Sequence, residues 1–500
     1  MIVFVSGESG ETKMAVLLHD LLLDSLDRQS GISLQRQIYE GIREAILQGH
    51  LPVDARMPST RALAEHLRIS RVTTSLVYER LTTEGYLYSK SGSGTYVADT
   101  LPRTFHRDPG TDVSLEADRL LSSRGAEITR RVTGLAKAGG AFVPGVADTE
   151  FFPFHIWRRL QNRYLKRNHA ELTGYVEHGG YRPLRDALSA YLYTSRAVRC
   201  SPQQVIITMG THQSLDLIAK LLTDPGDAAL IESPCHWGAP VVLSAAGLEC
   251  RPLRLDLEGA CIPETDVAEG SRLAFVTPSH QYPTGSVMTL QRRRDWLSFA
   301  EAQNLWLIED DYDSEFRYDI DPLPSMQGLG NKNRVIYLGT FSKVTFPGLR
   351  LSYLVVPEAL ADAFSKGMTQ LYRPGFLTLQ AAMADFILEG HFATHIRRMR
   401  AVYAQRRSHL QSTLDAYFDG DIQYSPGQAG LHLAVKIGPA GTARKMINAA
   451  VDHGLTLRGA YALDPLAGDD NLLVLGYGGI RDSEVEGSVR RLRGLYDAVR

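Results

Sequence analysis

Between Val205 and Pro357 the chain repeats one pattern: a short continuous apolar run, a turn, then a stretch with helical spacing. The runs are VIIT from Val205, AALIE from Ala228, LAFVTP from Leu273, LWLIEDD from Leu305, VIYLG from Val335 and LSYLVVP from Leu351. A strand that is apolar at every position has no face to give to water, so it must be covered on both sides. Such runs alternating with helices predict an α/β architecture, a mostly parallel sheet with helices packed on both faces. From about Met399, a long helix, strands at GLHLAV and LLVLGY and a closing helix predict a smaller α/β lobe.

The first hundred residues follow a different rule. Ile38, Ile42, Ala45 and Ile46 recur at helical spacing between Ile32 and about Gln48, and Gly49 ends the run. Pro58 and Ser59 start a second short helix over ALAEHL, with Glu65 and His66 outward. A turn at Arg68 to Ser70 leads to a third helix that ends at Gly85. Leu63, Leu67, Val72, Leu76 and Leu81 are the expected core. Three short helices with a tight middle turn resemble a helix-turn-helix, and GYLYSKSGSGTYVAD, turning around Ser91 to Gly94, resembles a wing. From about Leu101 to Arg131 the chain is polar and rich in turn residues, which reads as a linker, helical in places near Leu115 to Leu121. The expected domains are a head over 15–100, a linker over 101–135 and the α/β part over 136–500.

With 44% hydrophobic and 22% charged residues in 500, the chain can bury several cores. A net charge of -2 excludes a protein that coats nucleic acid over its whole surface, but not a small reading head. Cys200, Cys235, Cys250 and Cys261 show no paired C-x-x-C spacing and no disulfide framework, which fits a reducing cytosol. MIVFVSG lacks the basic and long apolar regions of a signal peptide. MAVLLHDLLL is too short to span a bilayer and carries His19 and Asp20. A cytoplasmic protein without membrane association is expected.

Chemistry concentrates in TFSKVTFPGLR, which sets Lys343 seven residues before Arg350 behind an apolar strand. A partly desolvated lysine can be a neutral nucleophile that forms a Schiff base with an aldehyde cofactor. An arginine nearby can hold that cofactor's phosphate through paired hydrogen bonds. Pyridoxal phosphate also asks for a carboxylate opposite its ring nitrogen, further phosphate donors and a flat group against the ring. Asp310 and Tyr312, two apart on extended backbone, face one side and suit the ring nitrogen and the phenolic oxygen. Taken alone, Glu309, Asp310, Asp311 and Asp313 also read as a metal site or a solvated turn. Gly210, Thr211 and His212 open a helix after a strand, where free amides meet an anion, although such a glycine also serves as structural punctuation. Thr340 adds a hydroxyl to the same phosphate. In TPSHQYPTG, Gln281 suits the phenolic oxygen or the substrate, and His280 is a chemical group or a satisfied loop histidine. In ESPCHWGA, His236 or Trp237 is the flat partner or simple packing.

The run GHLPVDARMPSTRALAEHLRISRVTTSLVYERLTTEGYLYSKSGSGTYV resembles the winged-helix domain of GntR-type bacterial regulators, and the chain from about Phe142 resembles a fold-type I aminotransferase. Their order, with TPSHQYPTG, EDDYDSEFRY and YLGTFSKVTFPGLR together, resembles the MocR/GabR family of pyridoxal-phosphate-dependent transcriptional regulators. The resemblance covers nearly the whole chain apart from the first fourteen or so residues and the linker. It implies a winged helix-turn-helix followed by a pyridoxal-phosphate-dependent transferase fold of type I. Lys343 then corresponds to the lysine of the internal aldimine, Asp310 to the partner of the pyridine nitrogen and Tyr312 to that of the ring oxygen. Arg350, Thr340 and the turn from Gly210 to His212 correspond to the phosphate cradle. The resemblance further implies a head-to-tail homodimer in which each DNA-binding head lies over the partner's aminotransferase domain, with effector chemistry at the cofactor changing DNA binding. No metal is expected.

Two positions depart from the family pattern. The stacking aromatic of P-x-Y or P-x-W reads Pro234, Cys235, His236, and the late R-x-[SG]-[FY] strand that carries the substrate-carboxylate arginine reads Val474, Leu475, Gly476, Tyr477. Either Arg458 or another arginine compensates, or the effector is not a simple α-amino acid. On the third helix Arg71, Thr73 and Thr74 lie at the start that enters a major groove, while Ser59, Thr60, Arg61 and Lys90 suit backbone phosphates. For Arg61 and Arg71 the alternative is a solvated surface residue. The expected protein is a regulator that binds operator DNA and senses a small amine or amino acid through aldimine chemistry at Lys343. The alternative is an aminotransferase tethered by its N-terminal domain, with slow turnover left open, and a plain architectural DNA-binding protein comes third.

Overall fold

The computed structural model describes residues 18, 22, 26–27, 30–99, 120–130, 141–166, 170–174, 179–318, 323–330, 334–373, 375–425, 429–460 and 471–500. The chain divides into two compact units, Met1–Leu120 and Leu121–Arg500. Of the expected linker, only 120–130 falls among the described residues, and there Ser123–Arg130 is a helix. The helix anticipated near Leu115 to Leu121 lies outside them but for its last two residues.

The first unit holds α1 (Leu34–Leu47), α2 (Thr60–Leu67), α3 (Arg71–Thr83), β1 (Leu87–Lys90) and β2 (Gly94–Val97). Each helix starts at a serine whose hydroxyl accepts a free first-turn amide: Ser33 from Arg36, Ser59 from Ala62 and Ser70 from Thr73. The α2–α3 turn stays tight because Arg68 takes a left-handed conformation, φ 52°. β1 and β2 form an antiparallel hairpin, Leu87 opposite Val97 and Lys90 opposite Gly94. Gly92 and Gly94 both have positive φ at its tip. Ile38, Ile42, Leu63, Leu67, Val77 and Leu81 pack into one core.

The helical frame of α3 differs from the expected one. Val72 and Leu76 are exposed, at 68% and 43%, and the buried face is Thr74, Val77, Tyr78 and Leu81. Thr74 holds an inward position because its hydroxyl donates to the Thr60 and Arg71 carbonyls, both at 2.9 Å. Tyr78 does so by donating to the Pro58 carbonyl at 2.9 Å. Polar groups that satisfy themselves this way can replace aliphatic ones inside, which periodicity counted on apolar residues misses.

The second unit is built on a seven-stranded sheet of β3 (Val205–Thr208), β4 (Ala228–Glu232), β5 (Glu249–Leu253), β6 (Ser271–Val276), β7 (Trp306–Asp311), β8 (Val335–Thr340) and β9 (Ser352–Val355). Their spatial order is β3-β9-β8-β7-β6-β4-β5, and β9 alone runs antiparallel to its neighbours. β3, β4, β7, β8 and β9 carry no exposed position, as continuous apolar runs demand. A 28-residue helix α5 (His391–Phe418), starting before the expected Met399, joins this part to a four-stranded antiparallel sheet of β10 (Ile422–Tyr424), β11 (His432–Ile437), β12 (Arg458–Gly459) and β13 (Leu472–Gly476). The strand order there is β10-β11-β13-β12, and α6 (Asp482–Val499) closes the lobe. Among the described residues no helix is long and apolar enough to cross a membrane.

Candidate functional site

The carboxyl ends of β3, β6, β7 and β8 open on one cavity of about 330 Å³. In parallel sheets this edge collects ligands, since loops and helix N-termini converge on it. Lys343 reaches the cavity from the turn after β8, and its Nζ donates to the Gly145 carbonyl at 2.8 Å. Burial lowers the pKa of its amine against the opposing pull of Asp313 and Asp310, which makes the neutral nucleophile easier to reach. Gly145 has φ 71°, a conformation that favours glycine, and a Cβ there would stand 2.7 Å from Nζ and push the amine aside. Nothing in the sequence pattern points to Gly145.

Asp310 and Tyr312 both line the cavity, as their spacing requires. Asp310 is buried, and its Oδ1 has no hydrogen-bond partner. Burial, then the neighbouring Asp311, push its carboxyl up to about 8, with Lys343 opposing. The other three carboxylates of the run are committed elsewhere. Glu309 accepts from the Met326 and Gln327 amides at 2.9 and 3.0 Å, and Asp311 accepts from Arg196 Nε at 2.7 Å and the Tyr337 hydroxyl at 2.5 Å. Asp313 lies 3.1 Å from His280 Nδ1, which also meets the Tyr312 hydroxyl at 3.1 Å. The run is therefore no solvated turn. Asp313, His280 and His432 do gather potential ligand atoms within 4.8 Å of one another, whereas Glu309, Asp310 and Asp311 stand outside that group.

A cationic pole sits on another part of the wall. Gly210 precedes helix α4 (Thr211–Leu222) with φ 116°, and a Cβ on it would lie 2.5 Å from Arg350 Nη2. The free first-turn amides of α4 and the Arg350 guanidinium thus converge where only a glycine fits, an arrangement suited to a phosphate. Thr211, His212 and Thr340 line the same wall, with Ser342 beside them. The Thr340 hydroxyl is already engaged, accepting from Ser352 Oγ at 2.8 Å. His236 and Trp237 both reach the cavity, their rings 5.5 Å apart and tilted by 33°. Burial, then the charges of Lys343 and His212, hold His236 down at about 3, so it is a neutral flat group.

Gln281 is corrected. It is buried and absent from the cavity wall; its amide nitrogen donates to Glu232, the Pro234 carbonyl and the Tyr282 carbonyl, and its oxygen accepts from Thr284. With every polar position used, it orders the loop rather than a ligand. Its neighbour Tyr282 lines the cavity instead, as do His432 and Arg458 from the smaller sheet. Alternation would flag Tyr282 over Gln281 only if the loop were a regular strand.

On the first unit, Ser59, Arg61, Arg71 and Lys90 are exposed, and Thr60 and Thr73 are half-buried. Ser59 is engaged as the α2 cap and Thr73 as a partner of Ser70 Oγ at 2.8 Å. Thr74 is corrected: fully buried and bonded inward, it does not present its hydroxyl to a groove. The exposed face of α3 offers Arg71, Val72, Ser75 and Leu76. Lys90 stands over the Tyr96 ring at 4.9 Å on the wing.

Residues 34–97 match the family described as "Bacterial regulatory proteins, gntR family", and residues 147–459 match "Aminotransferase class I and II". The chain is 38% identical over 479 residues to the probable rhizopine catabolism regulatory protein MocR of Rhizobium meliloti, covering 95% of this chain and 96% of that protein. It is 31% identical to the uncharacterized HTH-type transcriptional regulator YhdI of Bacillus subtilis, over 94% of this chain and 97% of that one. The fold is similar to that of LysN, an α-aminoadipate aminotransferase from Thermus thermophilus crystallised with N-(5'-phosphopyridoxyl)-L-leucine. That likeness has a TM-score of 0.64 and 26% identity, and spans 77% of this chain and 96% of LysN. A winged head ahead of a pyridoxal-phosphate-binding, aminotransferase-like unit, matched end to end by whole regulators, means that the chain belongs to the MocR/GabR family, GntR regulators fused to a fold-type I aminotransferase domain.

Proposed function

We propose that this protein is a transcriptional regulator that holds pyridoxal 5'-phosphate at Lys343 and senses a small primary amine there. Asp310 would pair with the pyridine nitrogen, Tyr312 with the ring oxygen, and His236 or Trp237 would supply the flat group for the ring. Arg350 and the turn from Gly210 to His212 hold the phosphate, with Thr340 beside them. The observation that carries this reading is the buried, unpartnered Asp310 oxygen, which shares a cavity with Lys343. A native protein rarely leaves such an atom orphaned, and a protonated ring nitrogen satisfies it. When bound, the cofactor supplies an aldehyde for amines and an electron sink. Lys343 would supply the competing amine, and Asp310 would keep the ring nitrogen protonated. At the head, Arg71 reads base edges from the start of α3, and Ser59, Thr60, Arg61, Thr73 and Lys90 meet phosphates or flanking groups. The protein acts as a homodimer on operator DNA.

The test is a footprint of the holo-protein on the region upstream of its own gene and its neighbours, repeated with amines that shift the cofactor's absorbance. A protected repeat whose occupancy changes with such an amine is expected. Absence of protection on every fragment would remove the regulator reading. A second reading, slow transamination, draws on the likeness to LysN. It requires keto-acid product over many turnovers, while a sensor reaches a fixed spectrum and stops.

A further inference from the structure

Tyr312 follows β7 and lines the cavity, and its hydroxyl meets a buried pair, His280 from the loop after β6 and Asp313. His280 Nδ1 lies 3.2 and 3.1 Å from the two Asp313 carboxylate oxygens and 3.1 Å from the Tyr312 hydroxyl. Among the described residues that hydroxyl meets no other hydrogen-bonding group. Packing fixes the imidazole in this place. The His432 ring lies against it, with centroids 4.7 Å apart and planes tilted by 33°. Gly430 closes its edge at φ 76°, where a Cβ would stand 2.5 Å from Asp313 Oδ2 and closer still to the imidazole. The Gly430 carbonyl is itself held by the Tyr318 and Tyr477 hydroxyls, which donate at 2.7 and 2.5 Å.

One placing of protons satisfies this group. A carboxylate can only accept, and the charge of Asp313 already makes itself felt on the Lys343 amine. The Nδ1 that faces both its oxygens therefore carries hydrogen, whether the imidazole is neutral or charged. A bare nitrogen there would set its lone pair against a carboxylate in a buried site. An Nδ1–H can give to the Tyr312 oxygen but cannot accept from it. Burial, then the charge of Asp313, hold the phenol well above its ordinary value, so Tyr312 keeps its own proton. With His280 closed to it, that proton is left for the cavity that Tyr312 lines. In the proposed function the cofactor's ring oxygen falls to Tyr312, because Gln281 is spent on its own loop.

We infer that Asp313 and His280 are positioning residues for Tyr312: the carboxylate fixes hydrogen on His280 Nδ1, that N–H donates to the Tyr312 oxygen, and the phenol is thereby set as a donor toward the ring oxygen of the cofactor. The inference rests on the reading of Lys343 and Tyr312 as cofactor partners. A donor on the ring oxygen favours the form in which that oxygen bears the fuller negative charge. Losing the donor therefore raises the pH midpoint at which the lysine-bound absorbance changes.

The experiment measures that midpoint in full-length protein loaded with pyridoxal phosphate, as wild type, Tyr312→Phe, His280→Phe, His280→Asn and the double variant of His280→Phe with Tyr312→Phe. Asp313 is left in place because its charge also acts on Lys343. Tyr312→Phe should raise the midpoint by about one pH unit, the size of a hydrogen bond to a charged group, and His280→Phe by about half of that. His280→Asn, whose amide sets an N–H near the place of Nδ1, should bring it most of the way back to the wild-type value. His280→Phe should add nothing in the Tyr312→Phe background, since its effect runs through the phenol. In cofactor-free protein, NMR spectra of isotope-labelled histidine, with His280 identified by its loss in His280→Asn, should show hydrogen on Nδ1. An unmoved midpoint in His280→Phe, a shift that adds to that of Tyr312→Phe, no recovery in His280→Asn, or a bare Nδ1 overturns the inference. If His280→Phe does not fold, His280→Asn and the histidine spectra decide. A wild type without lysine-bound absorbance would instead overturn the reading of Lys343, while the spectra would still decide where the proton of His280 sits.

Discussion

In the N-terminal unit the side chains proposed to meet DNA, Arg61, Arg71 and Lys90, are exposed, while in the cavity Asp310 is buried and Lys343 is half-buried. Exposed charges cost the fold little, so their presence alone distinguishes a reading surface from an ordinary solvated one only weakly. Buried polar groups must be paired or explained, which turns each unpaired one into information. Asp310 and Asp311 show the principle side by side. Asp311 and Asp310 each have an orphan Oδ1, but Asp311 Oδ2 is held by Arg196 and Tyr337, and against the raising effect of burial the charge of Arg196 keeps its carboxyl low; Asp310 has no such partner and is pushed up to about 8.

The sharpest way to break the comparison is to remove one key residue from each region. Lys343→Ala should abolish the absorbance of a lysine-bound cofactor and its capture by borohydride, read by mass. Arg71→Ala should leave that absorbance intact. Loss of the band in both variants would mean that the head and the cavity are not separable in the way their burial suggests.

Asp310→Asn tests the buried side through pH. The folded-state value of about 8 lies above the ordinary 3.8, so between those values the folded cofactor-free protein binds more protons than the unfolded chain. Its stability therefore falls as pH rises through that window. Asparagine removes the titration. Cofactor-free Asp310→Asn should gain on wild type as pH rises from 4 to 8, by up to a few kcal/mol, because each pH unit crossed inside the window contributes at most about 1.4 kcal/mol. With pyridoxal phosphate bound the order should reverse, because the pyridinium loses its anion. Melting curves with and without cofactor at both ends of the window measure the crossing; parallel curves would leave Asp310 without the proposed partner.

The two regions also differ in how far the sequence reveals them. The strands are legible because a run apolar at every position has one structural use, and every predicted strand of the large sheet is present. Asp310 and Tyr312 are legible from two-residue alternation, and Gly210 from the strand-to-helix turn. Gln281 misleads because the loop around it is irregular, so neighbouring residues there do not alternate predictably. Gly145 and His432 are brought to the cavity from distant parts of the chain, and no local pattern records such contacts. In α3 apolar spacing points to the wrong frame because Thr74 and Tyr78, counted as polar, satisfy their hydroxyls inside the core.

Arg71→Ala then sharpens the exposed side. A bidentate arginine–guanine contact contributes about 1–3 kcal/mol of discrimination, so operator affinity should fall roughly tenfold or more while affinity for unrelated DNA changes far less. A uniform loss on all sequences would assign Arg71 to phosphate instead. Binding isotherms at two salt concentrations separate these outcomes, since a phosphate contact also reduces the salt slope.

The smallest effect separates the two faces of a single helix. Thr74→Val keeps the shape of the buried side chain but leaves the Thr60 and Arg71 carbonyls without its hydroxyl, so the head should lose about 1 kcal/mol of stability. Val72→Ser, on the same turn but 68% exposed, should change stability by less than about 0.5 kcal/mol. Operator affinity should respond in the opposite order, because Val72 lies beside Arg71 on the open face and Thr74 faces inward. Denaturation and binding measured on both variants decide the frame. A Thr74→Val protein that is fully stable but weak on DNA would turn α3 back to the face first expected from its apolar spacing.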